Sequence, residues 1–291
     1  MLDFIINPIA GGKQGKKTRK VVSVLEQILK SKNVEYRFHL TRQKGHAKEL
    51  TKTLISCGAT DIIVVGGDGT LHEVVNGFSD FERVNLGLIP CGTGNDFASA
   101  VNIPLDPEKA LNIVLEQQPK YVDFMQLGQI RGINIIGTGI DVDVLKRYNK
   151  LKKKTKFNYT GCLIKTLFNF KYTNFTARID ENTKDYRSFI ACIANGNVYG
   201  GGIPICPPAS PTDNKLNFVA VKSMAKIKII GAFLKLKKGK VLSLKQAEHF
   251  ECQSVNIKTD EPCTINVDGE LYEDMPFDVK IVSNTLKMYR F

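Results

Sequence analysis

Two short stretches of this 291-residue chain combine glycines with an acid and small polar side chains at a spacing that suits phosphate: Gly66-Gly67-Asp68-Gly69-Thr70 and Gly92-Thr93-Gly94-Asn95-Asp96. Glycines let a backbone approach a ligand closely, and the amides that open a helix attract anionic oxygens. A third loop, Asn7-Pro8 with Gly11, Gly12 and Lys13, adds cations, with Lys16 close behind. Asp68 would be repelled by a polyphosphate unless a divalent cation bridged the two, so its presence argues for Mg²⁺. The same pentapeptide also reads as a plain strand-to-helix turn with Asp68 as N-cap, and the first loop as a simple basic turn.

The flanking residues say what must hold these loops. Ile62-Ile63-Val64-Val65 is an apolar, β-branched run of the kind buried on both faces of a parallel sheet, and Leu71 to Phe78 then predicts a helix. Leu86-Gly87-Leu88-Ile89-Pro90 repeats the pattern ahead of the second glycine turn, followed by Asp96 to Val101 and a helix opening at Pro107. Upstream, Leu2 to Ile6 reads as a strand, and Val21, Val24, Leu25, Ile28 and Leu29 recur at helical spacing. Val34 to Leu40 alternates as a strand, Thr41 can cap the next helix, and Ala47 to Ser56 is helical. Four strand-helix units predict a doubly wound α/β domain whose ligand lies at the carboxyl ends of its strands.

Beyond about Tyr121 the texture turns to short alternating segments, including Phe189 to Ala194, Leu216 to Val221, Val255 to Lys258 and Val279 to Val282, with one helical interruption at Ala225 to Leu236. The reading is an α/β nucleotide-binding domain over 1–125 and a β-rich domain over 126–291, the last few residues returning to the first. Apolar residues at 43% and charged residues at 24% exclude wholesale disorder. Seven cysteines, odd in number and never paired as Cys-x-x-Cys, exclude a disulfide framework and a zinc site, and the four histidines show no ligand spacing. The first residues lack the pattern of a secretory signal, and no apolar run approaches the roughly 20 residues that span a bilayer, so a cytoplasmic protein is expected. A net charge of +12 concentrates polyanions without choosing among them. No nucleic-acid-binding signature accompanies it.

Gly66 to Thr70 resembles the nucleotide-binding signature shared by diacylglycerol, sphingosine and NAD kinases and phosphofructokinases. Ile89-Pro90-Cys91-Gly92-Thr93-Gly94-Asn95-Asp96-Phe97-Ala98 is similar to the second signature of the diacylglycerol kinase catalytic domain, in its bacterial soluble lipid kinase branch. The likeness continues through Gly137 to Asp141, Asn195-Gly196, Gly201-Gly202, Pro207-Pro208-Ala209 and Asp213 to Val267-Asp268-Gly269-Glu270. It implies ATP bound between an α/β domain and a β sandwich-like domain by Thr41, Gly66, Gly67, Asp68, Gly69, Thr70, Leu71, His72 and Thr93, with Glu270 as general base and Asp68 as the second catalytic residue. Asp268 then lies on Glu270's strand face if no turn intervenes, although Asp268-Gly269 also reads as a hairpin turn that leaves Glu270 exposed. Ser210, Asp213 and the backbone carbonyl of Lys215 match the family's structural Mg²⁺ site, with Asn214 standing where glycine is usual. His72 stands where asparagine is commoner, and Glu73 and Asp141 are further acidic candidates for the metal network, Glu73 equally as a helix-start charge.

The expected activity is ATP- and Mg²⁺-dependent phosphorylation of a lipid hydroxyl, diacylglycerol being the favoured acceptor. An NAD kinase-like enzyme with a soluble substrate, and a non-catalytic protein that binds nucleotide and membrane, are the alternatives. Two basic segments suit an anionic membrane on the inner face of the cell: Lys146 to Phe170, where lysines interleave with aromatic and aliphatic residues, and Lys226 to Lys240. Either also reads as a solvated charged stretch. The resemblance further implies a homodimer.

Overall fold

The computed structural model describes residues 1–12, 15–151, 156–167 and 170–291, apart from the side chains of Lys156, Phe157, Thr160, Lys226 and Ile227. They fall into two compact units, Met1–Asp123 with Ser283–Phe291, and Phe124–Val282.

The first unit runs β1 (Leu2–Ile6), α1 (Lys16–Ser31), β2 (Tyr36–Leu40), α2 (His46–Ser56), β3 (Asp61–Gly66), α3 (Asp68–Val75), β4 (Asn85–Pro90), α4 (Asp96–Ala100) and α5 (Pro107–Glu116). Its strands pair in parallel in the order β2, β1, β3, β4. The chain's last residues return alongside β4, with Met288 opposite Leu86. Phe4, Ile5, Ile62, Ile63, Leu86, Ile89, Leu286 and Met288 are all fully or almost fully buried, as a sheet covered on both faces requires. α1 packs with α5, and α2 with α3. Right-handed crossovers send those two pairs to opposite faces, because the strand order reverses between β1 and β3. That reversal is the switch point where α/β sheets bind ligands. Asp106 accepts the Lys109 amide at 2.9 Å and Pro107 sits at the first position of α5, so that helix starts where its sequence says.

The second unit continues from β5 (Pro119–Leu127) through β6 (Ile130–Gly132), β7 (Ile135–Gly139), α6 (Ile140–Asn149), α7 (Lys156–Leu167), β8 (Thr173–Ile179), β9 (Asn182–Ala194), β10 (Leu216–Lys222) and α8 (Lys226–Lys237). It ends with β11 (Ala247–Cys252), β12 (Ser254–Thr259), β13 (Ile265–Val267), β14 (Glu270–Tyr272) and the start of β15 (Phe277–Tyr289). The pairings are antiparallel, ordered β14, β13, β7, β9, β8, β12, β15, with β10 bridging β9 and β11. One core lies on one side of this sheet, around Phe175, Ile193, Phe218 and Val255. A second, around Val144, Leu163, Ile190 and Val219, lies under the helices. Where the sequence predicts one helix in this half, at Ala225 to Leu236, the described residues form three α-helices. α6 and α7 occupy the segment read as a basic, amphipathic stretch, with Val144, Leu145, Tyr159, Cys162 and Leu163 buried at helical spacing.

Candidate functional site

In the first unit the predicted loops meet at the carboxyl ends of β1, β3 and β4. A Cβ built on Gly67 would lie 2.9 Å from the Gly92 Cα, and one on Gly92 only 2.5 Å from the Gly67 Cα, so the two turns touch backbone to backbone. Asp68 locks this contact. Its carboxylate accepts the Asn95 amide at 2.7 Å and the Phe97 amide at 3.2 Å, capping the start of α4 rather than its own helix. The Asp68 side chain thus ties the first glycine turn to the start of α4. Asn95 takes left-handed geometry (φ 58°) and donates to the Gly92 carbonyl at 3.1 Å.

The first loop joins the same place. Asn7 donates its side-chain amide to the Thr70 hydroxyl at 3.0 Å and accepts the Ile9 amide at 3.1 Å, folding the Asn7-Pro8 turn over α3. Gly11 lies so near the second turn that its Cβ would stand 2.6 Å from the Cys91 carbonyl oxygen. Lys17, which the sequence reading passed over, donates to the Gly92 carbonyl at 3.1 Å; helical phase turns it, rather than Lys16, toward the glycines. Gly12, Gly69 and Thr93 are exposed at this edge, while Leu71 and His72 are buried behind it. Lys13 lies outside the described residues.

Two expectations for this unit change. Thr41 follows β2 and donates its amide to Ile6 at 2.8 Å, but α2 begins five residues later, and Glu73 caps it by accepting the Gly45 and Ala47 amides at 2.8 and 3.1 Å. Glu73 thus serves a helix start. His72 has its ring Nε2 3.5 Å from the Asn76 side-chain nitrogen.

In the second unit Glu270 opens β14, the edge strand of a hairpin with β13, directly opposite Val267. The loop is Asp268-Gly269, both with positive φ (52° and 96°), so a turn does intervene and Asp268 does not share Glu270's strand face. Asp268 instead accepts three backbone amides, from Ile133 at 2.7 Å, Asn134 at 2.8 Å and Ile135 at 3.0 Å. Glu270 is half-buried, not fully exposed. Asn266, which no sequence signal marks, accepts the Gly269 amide at 2.9 Å and donates to Asp141 at 3.0 Å. Asp141 is buried at the start of α6, and burial pushes its carboxyl up to about 6 despite the Asn266 bond. Among the described residues its Oδ1 has no hydrogen-bond partner. A carboxylate, an amide and a turn thus hold the Glu270 hairpin from behind.

Ser210, Asp213 and Lys215 share one loop. Ser210 Oγ is 3.0 Å from Thr212 Oγ1, and Asp213 accepts the Lys215 amide at 3.0 Å. Asn214 adopts φ 61°, the geometry expected where glycine is usual. A hydroxyl, a carboxylate and a carbonyl form an all-oxygen set of the hard type Mg²⁺ prefers, so these residues fit that ion. Among the described residues no cluster of three His, Cys, Asp or Glu side chains could hold a metal.

Known proteins divide in the same way. Residues 2–127 match the diacylglycerol kinase catalytic domain, and residues 134–290 match the YegS C-terminal NAD kinase beta sandwich-like domain. A Bacillus subtilis protein named "Putative lipid kinase YtlR" is 28% identical over 300 aligned residues that cover 94% of each chain. A Bacillus anthracis structure titled "Crystal structure of a putative diacylglycerol kinase" superimposes with a TM-score of 0.84 at 23% identity, covering 100% of this chain and 95% of that one. An Archaeoglobus fulgidus NAD kinase in complex with ATP shares the fold at a TM-score of 0.55 and 12% identity, covering 100% of this chain and 94% of that one. The second match spans more than half of the chain, so the protein belongs to the family that carries the YegS C-terminal NAD kinase beta sandwich-like domain, here preceded by a match to the diacylglycerol kinase catalytic domain.

Proposed function

We propose that this protein is an ATP- and Mg²⁺-dependent lipid kinase that phosphorylates the hydroxyl of diacylglycerol or a related membrane lipid. The observation that carries the nucleotide site is Gly69. It sits in the first turn of α3 without left-handed backbone, and a Cβ there would meet nothing within 4 Å. Glycine inside a helix costs about 0.5–1 kcal/mol relative to alanine, and no neighbour in the fold requires it. A ligand pressed against the backbone does. The Gly67–Gly92 contact and the Asp68 cap then hold two loops as one cradle for the phosphates.

The chain's residues divide the work. Amides of the loops at Gly67 to Gly69 and Gly92 to Gly94 orient the triphosphate, and Asn7 with Lys17 fixes the loops to one another. A carboxylate oxygen of Glu270 takes the proton of the acceptor hydroxyl. The lipid oxygen forms its bond to the γ-phosphorus as the bond to the bridging oxygen of ADP breaks. Asp268 and Asn266 are positioning residues for that carboxylate. Mg²⁺, when bound, neutralises charge on the transferring group, and Ser210, Asp213 and the Lys215 carbonyl are residues that would hold a structural ion. The acceptor is met at the bilayer surface, on its cytoplasmic face; among the described residues no helix is long and apolar enough to cross a membrane.

The test is incubation with γ-labelled ATP, Mg²⁺ and dispersed lipid acceptors, diacylglycerol first, with solvent extraction at the end. Label in the extracted lipid is expected. Label appearing only in a soluble acceptor such as NAD would replace this reading with the soluble-substrate one.

A further inference from the structure

Helix α8 carries apolar residues on two faces, and its packing accounts for one. Ile229, Ala232, Phe233 and Leu236 face inward and close an apolar cavity against Leu163 and Val221. Ile230 and Leu234, one turn apart, point the other way and are 52% and 54% exposed. Around them stand the exposed Lys228, Lys235, Lys237 and Lys238, with Lys240 just beyond, and residues 226–240 contain no acid. Among the described residues none of these five lysines is paired with a carboxylate; Lys235 approaches the Ser243 carbonyl at 3.5 Å, and Lys237 the Phe233 ring at 5.7 Å.

We propose that α8 is the element by which the protein docks on an anionic phospholipid bilayer. Ile230 and Leu234 enter the boundary between headgroups and acyl chains, and the lysines meet lipid phosphates. This deepens the lipid-kinase reading and rests on it for its purpose. Three occupants could cover such a face, and charge and polarity separate them. A second copy would set lysines against lysines. A nucleic acid would neutralise the lysines but leave two aliphatic side chains in water. A bilayer surface takes both kinds of group, as interfacial helices do. The other basic segment is less suited. Its Lys146 is already engaged with Thr264 at 2.9 Å and Glu273 at 3.6 Å.

The experiment is flotation of the full chain with phosphatidylcholine vesicles, with and without phosphatidylglycerol. Wild type should bind only the anionic vesicles. Lys235→Gln with Lys237→Gln should weaken binding roughly 25-fold, about five-fold for each lysine. Ile230→Ser with Leu234→Ser should weaken it at least roughly ten-fold and leave a residue of binding that salt abolishes. An unchanged Mg-ATP-induced thermal shift in both variants shows that the fold is intact. Vesicle binding undiminished in the serine variant, or wild-type binding to duplex DNA in preference to anionic vesicles, overturns the proposal. Phosphorylation of a short-chain diacylglycerol in detergent micelles should survive in the serine variant, since docking is bypassed there. Its absence in wild type would strike the kinase reading instead, while the vesicle comparison would still decide the role of α8.

Discussion

The glycine loops of the first unit and the Glu270 hairpin of the second are built by opposite means. At Gly67 and Gly92 precision comes from removing side chains, until two backbones touch and nothing on the protein side can give way. At Glu270 it comes from adding them: Asp268 gathers three amides, and Asn266 ties the turn to the buried Asp141. Backbone packing suits a ligand recognised by its phosphates, which any amide can meet. A side-chain network suits a group that must present one carboxylate oxygen to one proton.

The sharpest break between the two regions is Glu270→Gln. Losing the base should lower turnover by about 10²–10⁴. Mg-ATP affinity, a property of the glycine loops, should survive. Calorimetry beside a lipid-label assay measures both, and a fully active variant removes Glu270 from the chemistry. Asp268→Ala comes next. It strands the amides of Ile133, Asn134 and Ile135, and hydrogen bonds to a charged acceptor contribute about 1.5–3 kcal/mol each before water replaces part of the loss. A destabilisation of about 3–4 kcal/mol in urea unfolding is expected, with turnover falling as Glu270 loses its support; an unchanged midpoint would show the turn to be self-sufficient.

Alanine substitutions in the first unit should separate fold from ligand. Gly92→Ala forces a Cβ to within 2.5 Å of a backbone carbon and should cost about 1–3 kcal/mol of stability as well as nucleotide affinity. Gly69→Ala should leave stability unchanged or raised by about 0.5–1 kcal/mol, yet weaken Mg-ATP binding. Equal nucleotide affinity in Gly69→Ala and wild type, read by calorimetry, would leave that glycine without a function.

The same contrast explains what the residues disclosed before folding. The parallel sheet was legible because its signals are local, most clearly from Ile62 to Val75, where a β-branched run is followed by a glycine turn and then helical spacing. What could not be read were partnerships at a distance. Nothing near Asp68 in the sequence points to its hydrogen bonds with Asn95 and Phe97, which lie 27 and 29 residues onward. The amides held by Asp268 lie more than 130 residues upstream. α6 and α7 were hidden for a different reason: Asp141, Asp143, Lys146, Arg147 and Lys165 fall among the buried positions that mark helical phase, so charge masked periodicity.

The smallest effect concerns the far end of the hairpin's support. Asp141 is 2% exposed, and burial raises its carboxyl from the ordinary range to about 6. A raised folded-state value means that the folded protein holds this proton more tightly than the unfolded chain does. The stabilising contribution is therefore present below the unfolded value, near 4, and is lost as pH climbs through about 6. A rise of that size corresponds to at most about 3 kcal/mol. Asp141→Asn removes the ionisation and keeps an oxygen for the Asn266 donor, although its amide hydrogens would have no more of a partner than Oδ1 has now. The variant should therefore lie about 0.5–1.5 kcal/mol below wild type near pH 4, where only the unpaired hydrogens count, and exceed it by about 1–2 kcal/mol at about pH 7.5. Urea unfolding at the two pH values measures the gap. A difference that does not change with pH would mean that Asp141 is already ionised at little cost, and that the hairpin's anchor is a charge rather than a shared proton.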